Sequence, residues 1–415
     1  MKINTVLNRN ILYLSLVQGS AYILPLLTFP YLVRVLGPDG FGVLGFCQAS
    51  IQYLVLLTDY GFNWTATQQV AKYRDDKEKL SSIFWAVLWS KFFLALLSFS
   101  ILIVMCLYVD KYKEIWFVLL SFSPMVWGNV IYPIWFFQGM ERMKWITLCS
   151  IFSRCMLIPL VFIFVNNISD LWVAALIQGS VNFIAGVIGL YLVFKNDWVK
   201  PIEFKSQNII SCLRNGWHVF ISTSAISLYT TSTTVILGFL VNPAAVGYFN
   251  AANTIRSAVQ GLLNPISQAL YPRINNLIEK DYSKALELIR RSLRYIACIS
   301  MFFSCLLFLF APVIIEYSVG EAYHSSVSIL RWMSFLPFII SLSNIFGVQT
   351  MLSHNYKKQF STILITCGIC SLFIVFPLVL LFYANGAAIS ILMTESCVTL
   401  LMYLFLRKKK IFLFK

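Results

Sequence analysis

Six ionisable side chains fall inside long apolar stretches of the sequence: Asp59, Lys91, Arg154, Arg256, Arg331 and Glu395. A Lys, Arg or Asp at the centre of a membrane helix costs roughly 2.5 to 3.5 kcal/mol on insertion scales, so each is expected to face a bundle interior, a wet cavity or a partner. Four bases against two acids leave the set net positive. Arginine suits phosphate because its planar fork makes two parallel charge-assisted hydrogen bonds. Two roles are open to the bases: lining a cavity that holds an anionic group, or pairing with the acids to lock helices together. Arg256, about twelve residues from either end of its apolar stretch, is the best-placed cavity cation, with Arg154, Lys91 and Arg331 in the same role. Arg331 sits nearer a helix end and has the alternative of snorkelling to the interface. Asp59 and Glu395 are candidates for ion coupling or for pairing.

No other constellation suggests chemistry. His218, His324 and His354 are scattered at helix ends and in loops without a Cys or Asp cluster, so no metal site is expected. Cys367 and Cys370 form a CxxC inside the apolar run 360–382, where packing is the ordinary use of a small apolar side chain, and no disulfide framework is inferred from the ten cysteines. Paired carboxylates, a nucleotide loop and a nucleophile with its base are not found at useful spacing, so neither an enzyme nor a cofactor is expected.

The elements that must position these residues follow from composition. The chain is 59% hydrophobic and 12% charged, about half the charge of a soluble domain, so lipid has to be its solvent. Runs of twenty and more apolar residues point to helices and not to barrel strands. The first run, 11–33, lacks a small-residue cleavage site and reads as a retained helix. The reading is all-α and integral to the membrane, with about twelve spans. Alternating the loops between two sides places 25 of the 32 Lys and Arg on one side and only Arg34, Lys111 and Lys113 on the other. Cations accumulate on the cytoplasmic face, so both termini are expected there. The net charge of +15 is then a topology signal and a contact with anionic lipid headgroups, and not a nucleic-acid footprint.

Six spans precede the stretch 195–214 and six follow it, which suggests a parallel duplication. The expected organisation is an N-terminal six-helix lobe over 1–194, a cytoplasmic linker over 195–215, a C-terminal six-helix lobe over 216–406 and a basic cytoplasmic tail over 407–415. The motif P-x-x-x-G recurs at corresponding places, as Pro38 with Gly42 and as Pro243 with Gly247, where it suits a tight inter-helix turn. Two such lobes flanking a cavity are the architecture of an alternating-access transporter. The segment 273–294 carries Ile274, Leu277, Ile278, Ala285, Ile289 and Leu293 at helical spacing opposite Lys280, Lys284, Arg290 and Arg291. It reads either as an interfacial amphipathic helix or as a cytoplasmic extension of the ninth span. Tyr132, Trp135, Phe136 and Phe137 stand together and are expected in a helix interface or core more than in a sugar-stacking role.

The N-terminal stretch LPLLTFPYLVRVLGPDGFGVLGFCQA resembles polysaccharide transporters of the multidrug, oligosaccharidyl-lipid and polysaccharide exporter superfamily. More closely, YPIWFFQGMERMKW, HVFISTSAISLYT, FNAANTIRSAVQGLLNPISQALYPRI and MLSHNYKKQF resemble the Wzx-type O-antigen flippases, over essentially the whole chain. The resemblance implies residence in the bacterial inner membrane and export of undecaprenyl-pyrophosphate-linked oligosaccharide from the cytoplasmic to the periplasmic leaflet. It also implies contact with the bilayer and with an O-antigen polymerase or other assembly proteins. The basic residues would then hold the pyrophosphate head. A drug or lipid II exporter of the same superfamily would share fold and repeat. A membrane polymerase or glycosyltransferase commonly needs a sizeable charged periplasmic loop, and those loops are short here.

Overall fold

The computed structural model describes residues 2–202 and 206–413, with their side chains except at most positions before Leu24 and at scattered positions between 206 and 279; the His218 side chain lies outside this set. Among the described residues the regular structure is entirely helical. Eight stretches among the described residues are long and apolar enough to cross a membrane. The protein is an all-α, multi-pass membrane protein. Its outward surface carries large apolar side chains, with Leu309, Phe373 and Leu381 all more than 60% exposed. Such a surface is soluble in hydrocarbon and not in water.

Two compact units divide the chain. The first comprises Met1–Leu36 and Val43–Ser224, the second Gly37–Gly42 and Ala225–Lys415. Helix α1 spans Lys2–Asp59 and is interrupted at Gly37, whose φ of 64° and ψ of 178° belong to a region reserved for glycine. Then come α2 (Phe62–Lys72), α3 (Lys77–Tyr108), three short helices α4 (Asp110–Glu114), α5 (Trp116–Ser121) and α6 (Ser123–Ile131), α7 (Ile134–Gly139), α8 (Met143–Phe164) and α9 (Leu171–Lys195). Pro133 falls between α6 and α7, where its missing N–H ends one helix and its fixed φ starts the next. The aromatic quartet sits at this joint. Trp135, Phe136 and Phe137 are each at most 1% exposed and Tyr132 4%, packed with Phe84 in the core of the first unit. They are core residues.

The second unit contains the end of α10 (Ser206–Thr230), then α11 (Ser232–Leu240), α12 (Pro243–Lys280), α13 (Tyr282–Val319), α14 (Ser326–Met333), α15 (Leu336–Asn344), a π-helical stretch Ile345–Leu352, and α16 (Lys357–Lys408), which is broken at Tyr383 with φ 54°. The interfacial amphipathic helix does not form. Instead α12 runs on to Lys280 and α13 starts directly after Asp281, whose carboxylate caps it by accepting from the Lys284 N–H at 3.2 Å. Ile274, Ile289 and Leu293 are at most 2% exposed, packed with Phe346, Met402 and Leu406, so the apolar face is covered by protein and not by lipid. The C-terminal tail joins the same core. Arg290 donates from Nε and Nη2 to the Phe412 carbonyl at 3.0 and 2.7 Å, and Ile411 and Leu413 are buried.

Hydrogen bonds from the Ser283 hydroxyl, the Lys284 ammonium and the Lys284 backbone hold the Asp281 carboxyl well below the usual carboxylate range. A depressed folded-state pKa contributes stability above the unfolded value of about 3.9, and this is lost as pH falls toward the folded value. Asp281→Ala is therefore expected to lower the melting temperature of the purified protein at neutral pH, with the gap to the parent narrowing below about pH 4.

Candidate functional site

The two units each hold intramembrane charges, and they hold them differently. In the first, Asp59 closes the last turn of the second arm of α1, where the helix dipole disfavours an anion. Lys91 on α3 compensates, with Nζ 3.6 Å from Asp59 Oδ1 and the lysine side chain only 1% exposed. The pair is held in a net of amides. Asn63 Nδ2 donates to Asp59 Oδ1 at 2.6 Å and Lys91 Nζ donates to the Asn129 carbonyl at 3.1 Å. Asn129 in turn donates to Thr58 Oγ1 at 2.8 Å and to the Val55 carbonyl at 3.2 Å. Tyr60 and Gly61, with φ 46° and 76°, turn the chain immediately after Asp59 and so fix where the carboxylate stands. Four elements, α1, α2, α3 and α6, therefore converge on one ion pair, its lysine fully buried and its carboxylate 20% exposed.

Arg154 on α8 is not part of that net. It is half-buried, and its Nη1 donates to Ser20 Oγ at 3.2 Å. Tyr132, within electrostatic range, bonds instead to Ser150 Oγ at 2.8 Å and the Ile146 carbonyl at 3.1 Å. Arg154 thus keeps capacity for an anion, a place that Asp59, committed to Lys91, does not take.

In the second unit Arg256 on α12 donates from Nη2 to Asn253 Oδ1, one turn earlier on the same helix. Glu395 on α16 is 9% exposed and lies within electrostatic range of the guanidinium. Helices α12, α16 and the π-helical stretch pack on one another. Their interior is unusually polar: Asn250 Nδ2, Gln260 Oε1 and both amide atoms of Gln349 are buried without a hydrogen-bond partner among the described residues. Each such atom costs about 1 to 3 kcal/mol unless water or a ligand satisfies it. Gln349 lies in the π-helical stretch, a geometry that is rare and frequently occurs at functional sites. Arg331 stands apart from Arg256. It is exposed on α14 and its guanidinium lies over the Phe308 ring at 5.7 Å.

The two P-x-x-x-G motifs meet. Pro38 and Pro243 each begin a helical segment as expected of a turn, Pro243 behind an N-cap in which Asn242 Oδ1 accepts from Ala245 N at 3.0 Å. The glycines do something else. A Cβ on Gly42 would lie 1.8 Å from the Pro243 carbonyl oxygen, and one on Gly247 would lie 2.0 Å from the Pro38 carbonyl oxygen. The motifs cross reciprocally, with each glycine making room for the first carbonyl of the other.

The site residues missed in the sequence are amides: Asn63, Asn129, Asn250, Gln260 and Gln349. Their signal was an uncharged polar side chain within an apolar run, which is also costly in hydrocarbon unless bonded. No group of three or more potential metal ligands occurs among the described residues.

Solved membrane transporters share this fold. A multidrug resistance MATE family transporter of the MOP superfamily, in an inward-facing conformation, superimposes with a TM-score of 0.75 at 14% identity, covering 94% of each chain. The lipid II flippase MurJ in an inward closed conformation gives a TM-score of 0.72 at 13% identity, covering 96% of this chain and 86% of that one. The fold is that of these membrane transporters. Residues 7–278 match the family model described as polysaccharide biosynthesis protein. The chain is 52% identical over 405 residues to a protein of Escherichia coli (strain K12), covering 98% of both, and 34% identical over 396 residues to one of Shigella dysenteriae, covering 95% of this chain and 99% of the relative. Both relatives carry the name "Putative O-antigen transporter". The chain belongs to the polysaccharide biosynthesis protein family, among its Wzx-like O-antigen transporters, and is a multi-pass inner-membrane transporter.

Proposed function

We propose that this protein is a flippase that carries undecaprenyl-pyrophosphate-linked O-antigen repeat units from the cytoplasmic to the periplasmic leaflet by alternating access. The observation that carries the reading is 52% identity over 98% of both chains to a relative named as an O-antigen transporter. The chemistry of the charged residues supports it. Arg154 and Arg256 are half-buried guanidiniums that donate to a neutral hydroxyl and a neutral amide, and the planar fork of each suits a pyrophosphate. Lys91 is fully buried against Asp59 and serves as the lock of the first unit. Glu395, within range of Arg256, is assigned to charge balance at that position or to binding a coupling ion.

The proposed architecture is twelve spans in two six-helix lobes, 1–194 and 216–406, joined by 195–215, with both termini and the tail 407–415 in the cytoplasm. Supporting it, two of the eight apolar stretches, Leu24–Lys72 and Lys357–Lys408, are divided by the non-helical residues Gly37 and Tyr383, and α10 to α12 add the spans between the halves. The periplasmic product is the substrate that an O-antigen polymerase consumes.

The test is deletion of the gene followed by assignment of the leaflet in which the lipid-linked repeat unit collects. Build-up facing the cytoplasm, relieved by the wild-type gene, is expected; build-up facing the periplasm refutes flipping. In the same complementation Arg256→Ala is expected to transport roughly 10- to 100-fold more slowly, from losing about 1.5 to 3 kcal/mol of charge-assisted hydrogen bonding, with Arg256→Lys in between. Wild-type rates from both variants, at equal membrane abundance, exclude Arg256 from the cargo site.

A further inference from the structure

A cavity of about 540 Å³ opens on the surface of the second unit where α13, α14, α15 and α16 come together. Its lining is partly polar, with His324, Ser325, Ser328 and Arg331, and partly apolar, with Phe308, Val327, Phe335, Leu392 and Trp332. One rim is tied down, because Ser328 Oγ bonds to Asn385 Oδ1 at 3.0 Å just after the break in α16. Arg331 is the only Arg or Lys of the lining among the described residues, and no carboxylate among them is within ion-pairing distance of it. The nearest acid in sequence, Glu321, is not part of the wall. The Phe308 ring under the guanidinium holds it at the apolar wall without neutralising it.

From this arrangement we infer that the cavity binds the headgroup of a monoanionic phospholipid, with its phosphodiester on Arg331 and the start of its acyl chains against Phe308, Phe335 and Leu392. Three observations select this occupant. First, the lining combines polar and cationic side chains with a larger apolar set, as a lipid combines a headgroup with acyl chains. Second, a single guanidinium balances one phosphodiester charge and would leave a pyrophosphate under-compensated. Third, Trp332 is 46% exposed beside Arg331, the pairing of an amphipathic ring with a cation that marks headgroup depth. The volume lies in the usual range for small-molecule sites of about 300 to 1,000 Å³ and accommodates a phosphoglycerol head more readily than a lipid-linked oligosaccharide. Only the choice of leaflet rests on the topology proposed above, which puts the loop before α14 on the periplasmic side. Arg331 thereby leaves the set of cargo-binding cations.

The experiment is native mass spectrometry of the delipidated full-length protein with added phosphatidylglycerol or phosphatidylethanolamine. One phosphatidylglycerol per chain is expected to survive activation in preference to the net-neutral lipid. Arg331→Ala is expected to cut its occupancy about tenfold, Arg331→Lys less, and Leu392→Trp, which fills the cavity without touching charge, by a similar factor. Melting temperatures of all variants identify any that fail to fold, and Arg331→Lys carries the comparison if Arg331→Ala does. Equal retention of the two lipids, unchanged occupancy in both Arg331→Ala and Leu392→Trp, or displacement by equimolar undecaprenyl pyrophosphate would overturn the assignment; the last would make the cavity a cargo site. Because the readout is lipid retention by purified protein, it is independent of whether the repeat unit is flipped.

Discussion

Gly42→Ala and Gly247→Ala are each expected to remove most of the folded protein from the membrane, although each adds only one methyl group. Overpacking a core with a methylene typically costs about 1 to 3 kcal/mol because neighbouring side chains shift off their rotamers. Here the obstacle is a backbone carbonyl, 1.8 Å from the new carbon at Gly42 and 2.0 Å at Gly247, so relief requires separating two helices. The expected loss is therefore at or above about 3 kcal/mol, a large share of a stability of roughly 5 to 15 kcal/mol. Gly19 supplies the control, since a Cβ there would meet nothing within 4 Å and Gly19→Ala is expected to be neutral or slightly stabilising. The double variant should cost less than the sum of the singles, because the first methyl already opens the crossing that the second would obstruct. Membrane abundance and the melting temperature in detergent measure all four. Wild-type stability of either single variant would show that the two motifs do not touch.

The second large effect concerns Asp59 and Lys91. Lys91→Met leaves the Asp59 carboxylate with Asn63 as its remaining side-chain partner, and Asp59→Asn leaves an ammonium that is 1% exposed beside neutral acceptors and no counter-charge. Breaking a buried pair from one side typically costs about 3 to 5 kcal/mol, whereas replacing both members by neutral groups of similar volume is often close to neutral. Each single variant is thus expected to be strongly destabilised and the double variant Asp59→Asn with Lys91→Met to recover most of the loss. A double-mutant cycle on thermal midpoints reads the coupling directly. If the recovered double variant transports the repeat unit, the pair is structural; if it folds and does not transport, one of its charges acts on cargo or ion.

The apolar runs disclosed the class of fold because in lipid every backbone amide must be bonded within its own segment, so helix is the available answer for a chain of this composition. The six retained charges were visible for a related reason: hydrocarbon makes each of them conspicuous. Their partners were not. Asp59 and Lys91 are brought together by the packing of α1 against α3, and nothing in the intervening residues records that distance. The amides Asn63 and Asn129 escaped notice because, carrying no charge, they look like any polar residue in a long apolar run until the carbonyls they serve are located. The proline and glycine motif was found at the right places, but proximity along the chain suggested a turn where contact across the fold made a crossing. Likewise the apolar stripe of 273–294 was real, yet periodicity alone does not say whether protein or lipid covers a helix face, and Asp281 divides it.

If the two lobes proposed above descend from one segment copied in tandem, the second version would ordinarily be free to wander while the first kept the old constraints. At Gly42 and Gly247 that freedom would be gone, because the main chain at each motif is the wall against which the other's residue is judged. Whatever else drifts between the halves of this chain, these two positions have to be inherited as a couple.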